Sequence, residues 1–200
     1  MVFRVALIGH SHVPTGYEYP LDEEVRLYFY RLPGATISEV KNHPRFRSFW
    51  NSRFDLTILF IGGNDIKPDV NPRAVIDEYK HLLHSINGKD CACITTTIEH
   101  RIIYRDNRFA LSQEIYNQKS RSVNRHLVRY FGHVSQEFIS LSRGIFTGER
   151  AQDGVHFSPI LLRKLYRLLT ERIRRRKFYH SVGITSFSEI SRRHRQNSQI

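Results

Sequence analysis

The sequence predicts an α/β protein: a three-layer α/β/α sandwich with a mainly parallel, five-stranded sheet under helices. Three observations predict it. Short apolar runs rich in β-branched and aromatic residues recur along the chain. Longer stretches with apolar residues at helical spacing separate them. Two of those stretches open on Asn-Pro or Ser-Pro and two close on Gly, the usual punctuation of helices.

Taken in order, residues 2–8 ("VFRVALI") read as a buried strand and 25–32 ("VRLYFYRL") as a second. Residues 54–62 ("FDLTILFIG") form the third and most apolar, 91–98 ("CACITTTI") the fourth, and 133–141 ("HVSQEFISL") a weaker fifth. The stretch 71–88 opens on Asn71 as N-cap with Pro72 at the first helical position, and Gly88 follows its end. The stretch 111–132 carries Ile115, Val123, Leu127 and Phe131 at helical spacing and ends at Gly132. The last, from 158, has Ser158 as N-cap and Pro159 next. Cys91 and Cys93 are read as pointing to opposite faces of their strand and therefore unpaired.

Length and composition bound the rest. The 200 residues favour one core, and 40% apolar with 25% charged residues is ordinary for a globular chain. No apolar run is long enough to cross a membrane, and the first is too short, and broken by Arg4, for a signal peptide. With two cysteines, the expected setting is intracellular and reducing: cytoplasmic or nuclear. The formal net charge is +12, and from Arg172 onward eight basic residues face Glu189 alone. A body spanning 1–177 and a flexible basic tail spanning 178–200 are expected. The tail reads either as a solvated end or as a contact for nucleic acid or an anionic membrane.

In such a sheet, ligands bind beyond the carboxyl ends of the strands. After the first strand come Gly9, His10, Ser11 and His12; after the second, Pro33 and Gly34; after the third, Gly62, Gly63, Asn64 and Asp65. Before the last helix come Asp153, Gly154, Val155 and His156. An acyl-transfer site needs a hydroxyl nucleophile, a base, a group that orients the base, and donors for the oxyanion. Ser11 can be the nucleophile, His156 the base and Asp153, one tight turn earlier, its orienting carboxylate. The backbone N–H groups of Ser11 and Gly34 and the side-chain amide of Asn64 can be the donors. His10, His12 and Gly63 are candidates for lining the site. Asp65 reads as structural, His81 and His84 as helix-surface residues, and Trp50 as a core or boundary residue.

The blocks "GHS", Gly34 in "LPGATI", "GGND" and "DGVH", in this order over residues 2–176, resemble the SGNH (GDSL-type) hydrolase family. The resemblance implies an SGNH/flavodoxin-like sheet and a Ser11-Asp153-His156 triad. It also implies an oxyanion hole from Ser11, Gly34 and Asn64, no cofactor, and a small-molecule or lipid ester as substrate. The first block departs from the family's Gly-Asp-Ser-Leu: His10 replaces the aspartate and His12 the leucine. "GHSHV" with "PGATI" also looks like the esterase-like domains of some non-LTR retrotransposon proteins, which would suit the basic tail.

Two other readings compete. One is a binding module on the same fold, weakly active or inactive, working through its basic C-terminus. The other is a metal-assisted hydrolase using His10, His12 and His156, which no HExxH pattern or cysteine cluster supports. An α/β-hydrolase elbow is disfavoured because Val13 stands where Gly-x-Ser-x-Gly needs its last glycine.

Overall fold

A central parallel strand is buried on both faces and so reads as a continuous apolar run. β1 (Phe3–Gly9) and β3 (Leu56–Phe60) fit that description, with only Arg4 incompletely buried. The computed structural model describes residues 2–15, 19–89, 91–101, 111–132, 137–141, 150, 151, 153 and 155–184. With β2 (Val25–Arg31), β4 (Ala92–Thr96) and β5 (Glu137–Ile139) the strands form one sheet, in the order β2-β1-β3-β4-β5. Every pairing is parallel. The fifth strand is shorter than the sequence predicts; residues 133–136 lie outside the described residues.

The period of two along each strand sorts side chains into two core layers. Ala6, Ile8, Leu59 and Ile61 face α1 (Ile37–Asn42), α2 (Arg47–Trp50), α3 (Pro72–Asn87) and α4 (Gln113–Gly132). Val5, Leu7, Ile58 and Phe60 face α5 (Pro159–Ser181) through Leu161, Leu165, Leu169 and Ile173. Right-handed crossovers explain the division. The links from β2 to β3, β3 to β4 and β4 to β5 run one way across the sheet and place their helices on one face. The link from β1 to β2 runs the other way and packs Val13, Tyr19 and Leu21 on the opposite face, beside α5. The strand order reverses at β1, and the crevice beyond β1 and β3 is where such sheets bind ligands.

The helix punctuation holds. Asn71 caps α3 by accepting from Arg73 N at 2.9 Å, and Ser158 caps α5 by accepting from Leu161 N at 3.3 Å. The sequence reading placed no helix between the second and third strands. Thr36 and Glu39 form a capping box there and start α1. On α4, Val123 and Leu127 are buried as predicted, but Ile115 is exposed and Tyr116 takes its place in the core. Cys91 and Cys93 share one core layer rather than diverging, because residues two apart on a strand share a face. Both thiols are free.

The basic segment does not leave the fold at residue 178. α5 runs to Ser181, and Ile184 folds back, buried, with its N–H on Tyr179 O at 2.8 Å. Part of the cluster is used in packing. Lys177 pairs with Asp22 at 3.0 Å and Glu24 at 2.8 Å, Arg174 donates to the carbonyl of Pro20, and Arg176 is buried. The expected contacts at Arg192, Arg193 and Arg195 lie outside the described residues. Among the described residues, no helix is long and apolar enough to cross a membrane.

Candidate active site

The first loop is shaped by a close approach of backbones. His10 N donates to Phe60 O at 2.9 Å. A Cβ on Gly9 would sit 1.9 Å from that same oxygen, so only glycine fits. The chain then turns: Val13 N donates to His10 O at 3.1 Å, which puts Ser11 and His12 at the two central positions of a turn. Ser11 is half-buried at its corner.

Asp153 and His156 form a local unit. One carboxylate oxygen of Asp153 accepts from the backbone N–H groups of Val155 and His156, both at 2.9 Å. The other accepts from His156 Nδ1 in a short contact. Partial burial opposes the charge of Asp153. The three hydrogen bonds outweigh it and bring the pKa down to about 2. The imidazole is thus held with its Nδ1 proton on Asp153 and its Nε2 free for base work. His156 and Ser11 line one cavity of about 290 Å³. Among the described residues no hydrogen bond joins them; contacts of this kind tighten when substrate is bound.

Gly34 lies at the turn after β2, exposed and with φ +81, a conformation that favours glycine. Asn64 follows β3 on a short 3-10 turn, and its amide bridges two loops. Nδ2 donates to Ala35 O at 3.1 Å and Oδ1 accepts from Arg101 at 3.4 Å, which leaves one N–H of the amide unused. Neither Gly34 nor Asn64 lines the cavity that Ser11 and His156 share. Asp65 accepts from Ile37 N at 3.1 Å and ties this loop to the start of α1, the structural part expected of it.

No family model matches the chain, and no curated protein matches it. Solved structures do. One is described as an SGNH hydrolase from Slackia heliotrinireducens: TM-score 0.67, 14% identity, 86% of this chain and 98% of that one. The aryl esterase of M. smegmatis aligns with TM-score 0.68 and 16% identity over 86% and 99% of the two chains. A carbohydrate acetylesterase from Sinorhizobium meliloti gives 0.66 and 13% over 86% and 98%. The chain has the SGNH hydrolase fold.

Within the SGNH fold, the two histidines of the first block go to different places. His12 lines the cavity; His10 and Gly63 are buried behind it. Burial, then the neighbouring His12, pushes the pKa of His10 down to about 3, so the ring is neutral. Its Nδ1 accepts from His12 N at 3.2 Å, which puts the ring proton on Nε2. His12 Nε2 donates to Val155 O at 3.2 Å, next to His156. Its Nδ1 lies 3.3 Å from Glu99 Oε1, both side chains being buried. That contact is at ion-pair distance but is not an aligned hydrogen bond. Burial works against the charge of Glu99; the neighbouring His12 and Arg101 outweigh it and hold the carboxyl below its ordinary range. A Cβ on Gly63 would come within 3.0 Å of Glu99 Oε1, so the second glycine of "GGND" makes room for that carboxylate. Arg101 Nη2 and Tyr116 OH both donate to Gly63 O, at 3.1 and 3.3 Å. Polar contacts thus tie Val155 to His12 and Glu99, and Gly63 to Arg101, Asn64 and Ala35, and between them they touch all four loops that carry candidate site residues.

Glu99 and Arg101 were missed by sequence reasoning. They follow β4, the one strand whose carboxyl end was not searched, in "IEHR" right after the apolar run. His10, His12 and Glu99 bring potential metal-binding atoms within 4.8 Å of one another. Glu99, not His156, thus completes the cluster. The second shell argues against a cation there. A metal-bound imidazole donates its other N–H to an acceptor, whereas Nδ1 of His10 faces a donor. The cluster suits a proton-bearing network.

Proposed function

We propose that the chain is a serine ester hydrolase. The observation that carries this reading is the shared cavity: Ser11 and the Asp153-oriented imidazole of His156 face one space at the carboxyl end of the sheet. The names of the structural neighbours — an aryl esterase and a carbohydrate acetylesterase among them — support ester hydrolysis as the chemistry of the fold.

In the first half-reaction Ser11 Oγ attacks the ester carbonyl carbon while His156 Nε2 takes the hydroxyl proton. The carbonyl oxygen becomes an oxyanion at the backbone N–H of Ser11; Gly34 and Asn64, the further donors the family resemblance implies, stand outside the cavity wall and must close in on bound substrate to serve. Collapse breaks the bond to the alcohol oxygen, which leaves with the proton from His156. Water, deprotonated by His156, then attacks the acyl-enzyme, and the acid is released as Ser11 regains its proton. Asp153 stays ionised throughout and stabilises the imidazolium.

Labelling by a fluorophosphonate probe tests the nucleophile, and nitrophenyl esters of increasing acyl length test turnover. Labelling and hydrolysis by the wild type, both lost in Ser11→Ala, are expected. Absence of both from the folded wild type, or their survival in Ser11→Ala, sinks the reading.

A further inference from the structure

The cavity at Ser11 has one charged wall that the reaction itself does not use. Arg31, the last residue of β2, lines it beside Thr15. The same two residues line an adjoining cavity of about 640 Å³, whose wall also carries Arg45. The two cavities therefore adjoin at Thr15 and Arg31. No carboxylate stands among the described residues that line either one.

Arg31 is half-buried and Arg45 exposed; an arginine that is drawn into a protein is normally matched by an acid. Among the described residues neither Arg31 nor Arg45 has a carboxylate partner. Among the described residues the enclosed Nε atom of Arg31 meets no hydrogen-bond acceptor. An enclosed donor without an acceptor is costly, and an anion at the accessible end of the same guanidinium offsets that cost. A guanidinium is a fork of donors that matches a carboxylate or phosphate. Val13, Pro14, Phe157 and Leu162 supply an apolar part of the wall near Ser11.

We propose that the ester hydrolysed at Ser11 carries an anionic group, carboxylate or phosphate, at the end of an apolar stretch. Arg31, seconded by Arg45, seats that group while the apolar wall holds the stretch between. The proposal rests on the esterase reading and adds the substrate class to it. Arg31 is then a specificity-determining residue that touches substrate away from the bond being broken.

A matched pair of esters tests it. 4-Nitrophenyl hexanoate and mono-4-nitrophenyl adipate differ only in a terminal methyl against a terminal carboxylate. The expected result is a kcat/KM roughly 10- to 100-fold higher for the adipate ester at low salt, falling as salt is raised. Arg31→Met should collapse that ratio toward one, and Arg31→Lys should restore part of it. A second pair, a monoacylglycerol and its 3-phosphate, distinguishes a phosphate on the alcohol side from a carboxylate on the acyl side. Equal rates within both pairs for the wild type overturn the proposal whatever the variants do. So does a preference that survives in the folded Arg31→Met, Arg45→Gln double variant. If the folded wild type hydrolyses neither member of either pair, the esterase reading fails, and the anion seat is judged by calorimetric titration with free adipate. Binding by the wild type that Arg31→Met loses keeps the seat. No binding by the wild type removes it.

Discussion

Two histidine–carboxylate pairs stand within one site, and their surroundings are opposite. His156 and Asp153 are about two-fifths exposed. His12 and Glu99 are almost wholly buried, at 3% and 2% exposure. Asp153 is held by its own loop, through two backbone N–H groups three residues or fewer away. Glu99 is held in part from a distant element, by His12 after β1, with Arg101 of its own loop beside it. Both carboxylates end below their ordinary pKa, although burial pushes each the other way. A third carboxylate sharpens the point. Asp65 is partly buried without a histidine partner, and burial raises its pKa to about 6. What the three teach is that partner charge and hydrogen bonds, not depth, set the direction here. Depth sets what is lost when the partner goes.

The largest effect should come from breaking the open pair. Asp153→Asn is expected to lower the turnover of a nitrophenyl ester by about 10⁴-fold, as when a triad carboxylate is lost elsewhere, while the protein stays folded and its unfolding midpoint in urea falls only modestly. A variant that keeps most of its rate would mean that His156 does not depend on Asp153 for its orientation.

Breaking the buried pair should do the reverse and fall on stability. Glu99→Ala removes a buried carboxylate from beside His12 and Arg101 and leaves a cavity with their polar groups unmatched, a loss of about 1–3 kcal/mol. Urea unfolding at neutral pH reads this directly. A change below about 1 kcal/mol would place Glu99 among residues whose charge the fold does not need. In molecules that stay folded, loss of the anchor on Val155 O should also lower kcat more than it raises KM.

Acid should separate Asp153 from a group at its ordinary pKa. Its folded pKa is depressed to about 2, so its contribution is present above the unfolded value near ~4 and is lost as pH falls toward about 2. The stability difference between wild type and Asp153→Ala should therefore be constant above pH ~5 and shrink through that window. A difference that grew on acidification would contradict the depressed pKa.

The smallest effect belongs to Asp65, where the sign is opposite. Its folded pKa is raised to about 6, so the folded state binds its proton more tightly than the unfolded state. Stability attributable to it falls as pH rises from ~4 to about 6. Asp65→Asn keeps an acceptor for Ile37 N and removes the charge. Its thermal midpoint should drift less than that of the wild type between pH 5 and 7.5. Parallel curves would show that Asp65 does not titrate in this range.

The legible part of this protein was local. Strand runs, helix spacing and the caps at Asn71 and Ser158 each reside in a few neighbouring residues, and all reappear in the structure. So does the Asp153–His156 bond, because three residues of loop suffice to make it. Tyr116 for Ile115 on α4, and one shared face for Cys91 and Cys93, were also within reach of the helix and strand periods, applied more strictly.

What the tertiary structure alone decided is every meeting between distant elements. Nothing in "IEHR" says that its glutamate will reach His12, or that Gly63 will be bare enough to admit it. Nothing in β2 says that Arg31 will stand in the cavity of Ser11, or in α5 that Lys177 will be spent on Asp22 and Glu24. The reason is physical. Periodicity reports which face of one element is apolar. Which faces then meet depends on the hand of the crossovers and the order of the strands, and these are properties of the whole sheet.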